Sequence, residues 1–126
     1  MENYSSSKHR ANHNKQTLEL ANAAVTEGNN EGFLSYCTED TEWTFVGEQV
    51  LKGKDAVREY MTKVYVEPPK FMVEHLIAED DFVTAIGKIS MKDEEGNWVS
   101  SDYCDVWQFS EGKLHKLKAF VIDHKA

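Results

Sequence analysis

Ser101-Asp102-Tyr103-Cys104-Asp105-Val106-Trp107-Gln108-Phe109 reads as one β-strand with an acid set inside an aromatic face. Side chains alternate across a strand, so Tyr103, Asp105, Trp107 and Phe109 share a side. Three rings on one face favour burial. A carboxylate among them is costly unless it is paired or does chemistry. Asp105 therefore frames the question of function.

The neighbouring segments extend this strand into a sheet. Trp98–Ser110 is followed by a tight turn at Glu111-Gly112 and a further strand over Lys113–Asp123. Upstream, Asp93–Asn97 is a Gly-containing turn, Phe82–Lys92 a strand, Glu79-Asp80-Asp81 a turn and Phe71–Ala78 another strand. Short polar links between consecutive strands predict an antiparallel meander, and strands of this length predict a strongly curved sheet.

The N-terminal half follows helical spacing instead. Residues 1–12 are polar, with Ser5-Ser6-Ser7 and Lys8, His9 and Arg10, and read as a disordered tail; residues 13–126 form a single domain. A first helix is predicted from Asn14 to Glu27 on Leu18, Ala21 and Val25 with Leu20 and Ala24, stopped by Gly28. Asn29 or Asn30 caps a short helix over Glu31–Cys37, with Phe33, Leu34 and Cys37 turned inward. Thr41–Val46 alternates like a strand. A third helix begins near Lys54 or Asp55, carries Val57, Tyr60, Met61 and Val64 on one stripe, and is ended by Pro68-Pro69. The order α-α-β-α-β-β-β-β defines an α+β fold. A curved sheet wrapped around three helices encloses a cavity.

Composition narrows the function classes. Of 126 residues, 40% are hydrophobic and 11% aromatic, as in a globular domain. Fourteen basic against 22 acidic residues give a net charge of −8, which argues against nucleic acid and anionic membrane as partners. The expected partners are a small hydrophobic molecule and a second copy of the chain. Cys37 and Cys104 belong to no C-x-x-C pair and read as reduced cysteines in a cytoplasmic protein. No apolar h-region or membrane-length run is visible, so the Asn3-Tyr4-Ser5 sequon is read as accidental.

Three stretches resemble the nuclear-transport-factor-2-like superfamily, in its SnoaL-like and ketosteroid-isomerase-like branches. They are Gly28–Asp40, Lys52-Gly53-Lys54-Asp55-Ala56-Val57-Arg58-Glu59-Tyr60, and Asp105–Phe109 followed by Glu111-Gly112-Lys113-Leu114. The resemblance implies a cone-shaped fold over about Asn14 to Asp123. That fold hosts isomerases, cyclases, dehydratases and non-enzymes alike. Asp105 matches the position where ketosteroid isomerases keep a neutral acid that donates a hydrogen bond to a developing oxyanion. The general-base aspartate of that branch falls on Phe45 or Thr44 here, and its oxyanion-hole tyrosine falls near Ala21. Two of three groups are therefore missing. SnoaL-like cyclases imply a single acid/base aspartate, a role open to Asp105 or Asp123.

The candidate catalytic residues are thus Asp105 and Asp123. The candidate ligand-binding residues are Trp43, Phe45, Tyr60, Tyr103, Trp107, Ala119 and Val121. Ala85, Gly87 and Ile89 alternate on one strand face, where Gly87 either leaves room in a cavity or marks a bend. His9, His13, His75, His115 and His124 form no metal-binding spacing, and neither a metal nor a cofactor is expected. The leading expectation is a cofactor-independent acid/base isomerase, cyclase or dehydratase acting on a hydrophobic oxygenated molecule. A non-catalytic ligand-binding module and a protein-interaction module using the outer sheet face are the alternatives. The outer face carries Thr84, Ile86, Cys104 and Val106 and is expected to form a homodimer.

Overall fold

The computed structural model describes residues 2–123, with side chains from residue 7 onward. Three helices, α1 (Glu2–Thr26), α2 (Asn30–Leu34) and α3 (Lys54–Val64), pack on one six-stranded sheet. The strands are β1 (Cys37–Phe45), β2 (Gln49–Lys52), β3 (Lys70–Glu79), β4 (Phe82–Lys92), β5 (Trp98–Ser110) and β6 (Lys113–Asp123). They run in the spatial order β2-β1-β6-β5-β4-β3. All neighbours are antiparallel except β1 and β6, which are parallel. The result is the α+β cone expected from the sequence.

Local chemistry accounts for the helix ends. Gly28 sits at φ +80°, and the Gly28 and Asn29 amides bond back to the Val25 and Ala24 carbonyls, closing α1. The Asn29 side chain then accepts from the Gly32 amide at 2.9 Å and caps α2. On α1, Leu18, Ala21 and Val25 are buried, whereas Leu20 faces solvent.

Three differences from the sequence reading have physical causes. The expected tail over residues 1–12 is helical from Glu2, because α1 runs on beside the β3–β4 turn. There Arg10 pairs with Asp81 at 3.2 Å, the Ser7 hydroxyl bonds Asp80, and Ala11 and Asn14 are buried. Helix α2 ends at Leu34, and Cys37 opens β1 opposite Leu114 instead of closing the helix. The Leu114 amide bonds the Tyr36 carbonyl, so sheet pairing claims the backbone that a longer helix would use. Strand β2 was not foreseen; it hairpins back from β1 through Gly47 at φ +84°. His124 lies outside the described residues.

Gly87 marks a bend rather than added room. A Cβ there would lie 2.1 Å from the Met72 carbonyl oxygen, where β3 bulges between Val73 and His75 and folds onto β4.

Candidate active site in the cone

Strand register sorts the inner face into rows. Trp43, Leu117, Trp107 and Val83 form the deepest row, across β1, β6, β5 and β4. The next row is Phe45, Ala119, Asp105 and Ala85. Val121 and Tyr103 follow, then Asp123, Ser101 and Ile89 towards the open end. Asp105 therefore sits mid-sheet between two alanines. Their small side chains leave space above the carboxyl, and the bulk comes from the rings of the adjacent rows.

These rows, with α1, α3 and the segment after α3, enclose a cavity of about 1020 Å³. That is at the upper end of the ~300–1000 Å³ typical of small-molecule sites, and enough for a multi-ring molecule. The mouth lies by the β4–β5 turn, where exposed Asp93, Glu94 and Gly96 join the wall and Lys92 bridges to Glu67 at 2.6 Å. Trp43, Phe45, Tyr60, Tyr103, Asp105, Trp107, Ala119, Val121 and Asp123 all line it. Sequence reading passed over Asn22, Tyr65 and Phe71, which line it too. Asn22 is a polar residue at the edge of the apolar stripe of α1, and Tyr65 follows the last turn of α3. Neither carried a signal of its own.

The rings form a connected cage. Trp43 meets Phe33, Trp107, Phe45 and Tyr60 edge-on with centroids 5.7–6.1 Å apart. Tyr60 contacts Phe45 at 5.1 Å and Tyr65 at 5.9 Å, and Phe71 contacts Tyr103 at 6.2 Å. Such edge-to-face contacts hold rings rigidly and shape the walls.

Electrostatics single out Asp105. Burial pushes its carboxyl up to about 7 from an ordinary 3.8, and among the described residues no cation or hydrogen bond opposes the shift. The side chain keeps some exposure because it opens onto the cavity. Burial raises the phenol of Tyr103 to about 12, with the charge of Asp105 adding to it. The Tyr65 phenol is raised in the same way by burial, Tyr60 and Asp105. Asp105 thus lies within electrostatic reach of two protonated phenols.

Asp123 has different surroundings. It is exposed at the rim and accepts a 2.6 Å hydrogen bond from the Ser101 hydroxyl. Two rows, or about 13 Å of strand at ~3.3 Å per residue, separate its backbone from that of Asp105. The two carboxyls do not form a close dyad.

Phe45 faces the cavity across Ala119 from Asp105, so β1 supplies no second acid in that row. Ala21 is fully buried in the core. His115 lies elsewhere, its Nδ1 3.0 Å from the Thr38 hydroxyl and 3.5 Å from Asp40. Among the described residues no cluster of His, Cys, Asp and Glu forms a metal site, and no helix is long and apolar enough to cross a membrane.

Residues 18–116 match the model of the SnoaL-like domain. Solved structures share the fold at low identity. Bal32a, from a soil-derived mobile gene cassette, superposes with a TM-score of 0.79 at 20% identity, covering 89% of this chain and 91% of that one. SalBIII, an epoxide hydrolase/cyclase-like enzyme in pyran ring formation in salinomycin, gives 0.79 at 24% identity, covering 86% and 89%. An NTF2-like protein from Burkholderia xenovorans LB400 gives 0.74 at 18% identity, covering 88% and 90%. No curated protein matches the chain.

Proposed function

The chain belongs to the SnoaL-like domain family, and we propose that it is a cofactor-independent acid/base enzyme acting on a hydrophobic, oxygenated small molecule. The observation that carries this reading is a carboxyl with a raised pKa, placed mid-sheet in a large aromatic cavity between two alanines. A group poised near 7 holds a proton yet can release it, which suits a general acid at neutral pH. Asp105 donates its proton to a substrate oxygen as negative charge develops there, or as a carbon–oxygen bond opens. The carboxylate then takes a proton from carbon or hydroxyl elsewhere on the same molecule. Isomerisation, cyclisation and dehydration all follow this pattern. The role of the similar SalBIII in pyran ring formation supports a cyclase as the first variant to test.

The experiment screens wild-type protein against apolar unsaturated ketones and hydroxy-epoxides, with products separated by chromatography and mass spectrometry. On any substrate found, Asp105→Asn should cost about a hundredfold or more in turnover. Unchanged turnover would remove Asp105 from the chemistry.

A second reading, a binding module without catalysis, draws on the lack of a second acid beside Asp105. It expects tight ligand binding, no product, and only a modest affinity change in Asp105→Asn. We further propose that the outer sheet face forms a homodimer. Phe120 and Ile122 are exposed there, in the rows that hold Cys104, Ile86 and Met72. The free thiols Cys37 and Cys104 support a reducing, cytoplasmic setting.

A further inference from the structure

The segment joining α3 to β3 forms part of the cavity wall through Tyr65, Val66 and Glu67. It is pinned along its length. The Tyr65 amide bonds the Met61 carbonyl at 2.9 Å, Glu67 pairs with Lys92 at 2.6 Å, and Pro69 is fully buried. Val66 and Glu67 are exposed, whereas Tyr65 is half-buried with its ring against Tyr60 at 5.9 Å. Tyr60 in turn lies 5.1 Å from Phe45, which shares a row with Asp105. These rings lead from the row of Asp105 on the sheet to Tyr65 on the helix side of the cavity.

The phenol oxygen of Tyr65 has no hydrogen bond among the described residues. The indole N–H of Trp43 and the phenol O–H of Tyr103 are unpaired too, but packing seals both from any ligand. The Tyr65 oxygen is not sealed, and its side chain lines the cavity. The Asp105 carboxyl shares this condition: unbonded, unsealed and on the cavity wall. Burial first, then Tyr60 and the charge of Asp105, raise the Tyr65 phenol above its ordinary value, so it keeps its proton at neutral pH. Tyr60 lies instead within reach of the charge of Glu48. When an apolar ligand displaces water from the cavity, an open donor and an open acid both need a partner on the ligand.

We propose that Tyr65 donates a hydrogen bond to the substrate oxygen that Asp105 serves as acid, so that this oxygen is held between the sheet and the segment after α3. This deepens the acid/base reading and rests on it for the identity of the reacting oxygen. A carbonyl or epoxide oxygen has two lone pairs and accepts from both groups at once. A donor that keeps its own proton stabilises charge growing on that oxygen without competing for the transfer. Asp105 moves the proton; Tyr65 holds the oxygen in place to receive it.

The test uses two probes, acetylnaphthalene and ethylnaphthalene, the same skeleton with and without the oxygen. Binding to wild type, Tyr65→Phe and Tyr60→Phe is measured by titration calorimetry at about pH 6, where Asp105 still carries its proton. Each substitution keeps the ring and removes the hydroxyl. Wild type should bind the ketone about tenfold tighter than the hydrocarbon, and Tyr65→Phe should lose about tenfold for the ketone, the scale of one hydrogen bond and its unmet partner. The hydrocarbon should bind Tyr65→Phe no more weakly than wild type. Infrared spectroscopy of isotope-labelled ketone supplies a direct readout: the carbonyl band should lie at lower frequency in wild type than in Tyr65→Phe, because an accepted hydrogen bond weakens the carbonyl bond.

A phenol that serves only the ligand is not missed in its absence, so unliganded Tyr65→Phe should melt no lower than wild type. A clear drop in melting temperature would show that the hydroxyl serves the fold, and would overturn the assignment. Equal loss of both probes in Tyr65→Phe, an unmoved carbonyl band, or a ketone-specific loss in Tyr60→Phe but not in Tyr65→Phe would overturn it as well. Failure of both probes to bind wild type would overturn it together with the apolar-ligand reading. None of these readouts involves turnover. Turnover unchanged in Asp105→Asn, with these results intact, would sink the catalytic reading alone; the converse pattern would sink only the role of Tyr65.

Discussion

Replacing Asp105 by Asn should stabilise the protein at alkaline pH and leave it little changed in acid. The unfolded chain releases the Asp105 proton near 3.8, while the folded one holds it to about 7. Below the lower value both states carry the proton and no difference arises. Between the two values the folded state retains a proton that the unfolded state has lost, so rising pH favours unfolding. Above about 7 both are ionised and the penalty is complete. Three decades of proton affinity at ~1.4 kcal/mol each amount to about 4 kcal/mol. Because the carboxyl opens onto the cavity, water recovers part of this, and ~2–4 kcal/mol is expected. Asn keeps the shape and cannot ionise. Urea unfolding followed by circular dichroism, for both proteins from about pH 4 to about pH 8.5, measures the difference directly. The advantage of Asp105→Asn should grow by ~2–4 kcal/mol across that range, with its steepest rise between the two titration points. Parallel stability curves, flat to within ~0.5 kcal/mol, would refute the reasoning and make Asp105 an ordinary solvated carboxylate.

Gly87→Ala should cost ~2 kcal/mol or more, because its Cβ would meet a main-chain oxygen 2.1 Å away; a urea midpoint equal to wild type would show that the β3 bulge gives way. Cys37 is buried with its thiol pushed to about 12, whereas Cys104 is half-buried on the outer face of the single chain, so in a Phe120→Glu background that opens this face a thiol reagent should label Cys104 first, and adding Cys104→Ser should abolish the early phase. Light scattering at micromolar concentration should give a dimer mass, and Phe120→Glu should give a monomer; a monomeric wild type would count against the outer-face interface.

The helix stripe of α3, the Gly28 stop and the long alternating strands β3 to β6 were legible because each rests on local chemistry: period, cap and turn. The parity of Tyr103, Asp105 and Trp107 was legible for the same reason, since a strand cannot help alternating its faces. Other features depend on partners distant in sequence. The helix beyond Asn14 forms where polar Ser7 and Arg10 meet Asp80 and Asp81, residues some seventy positions away. The four-residue strand β2, without an alternating apolar pattern, exists because β1 offers it an edge. The parallel pairing of β1 with β6 has no trace in either segment alone. At the site, the sequence put Asp105 first and left Asp123 open beside it for the single acid/base role. Register separated them, placing one between two alanines inside the cage and the other on Ser101 at the rim. The orphaned donors of Trp43 and Tyr103 belong wholly to the tertiary structure. A sequence shows that a side chain can donate a hydrogen bond; only the surrounding packing decides whether anything is there to accept it.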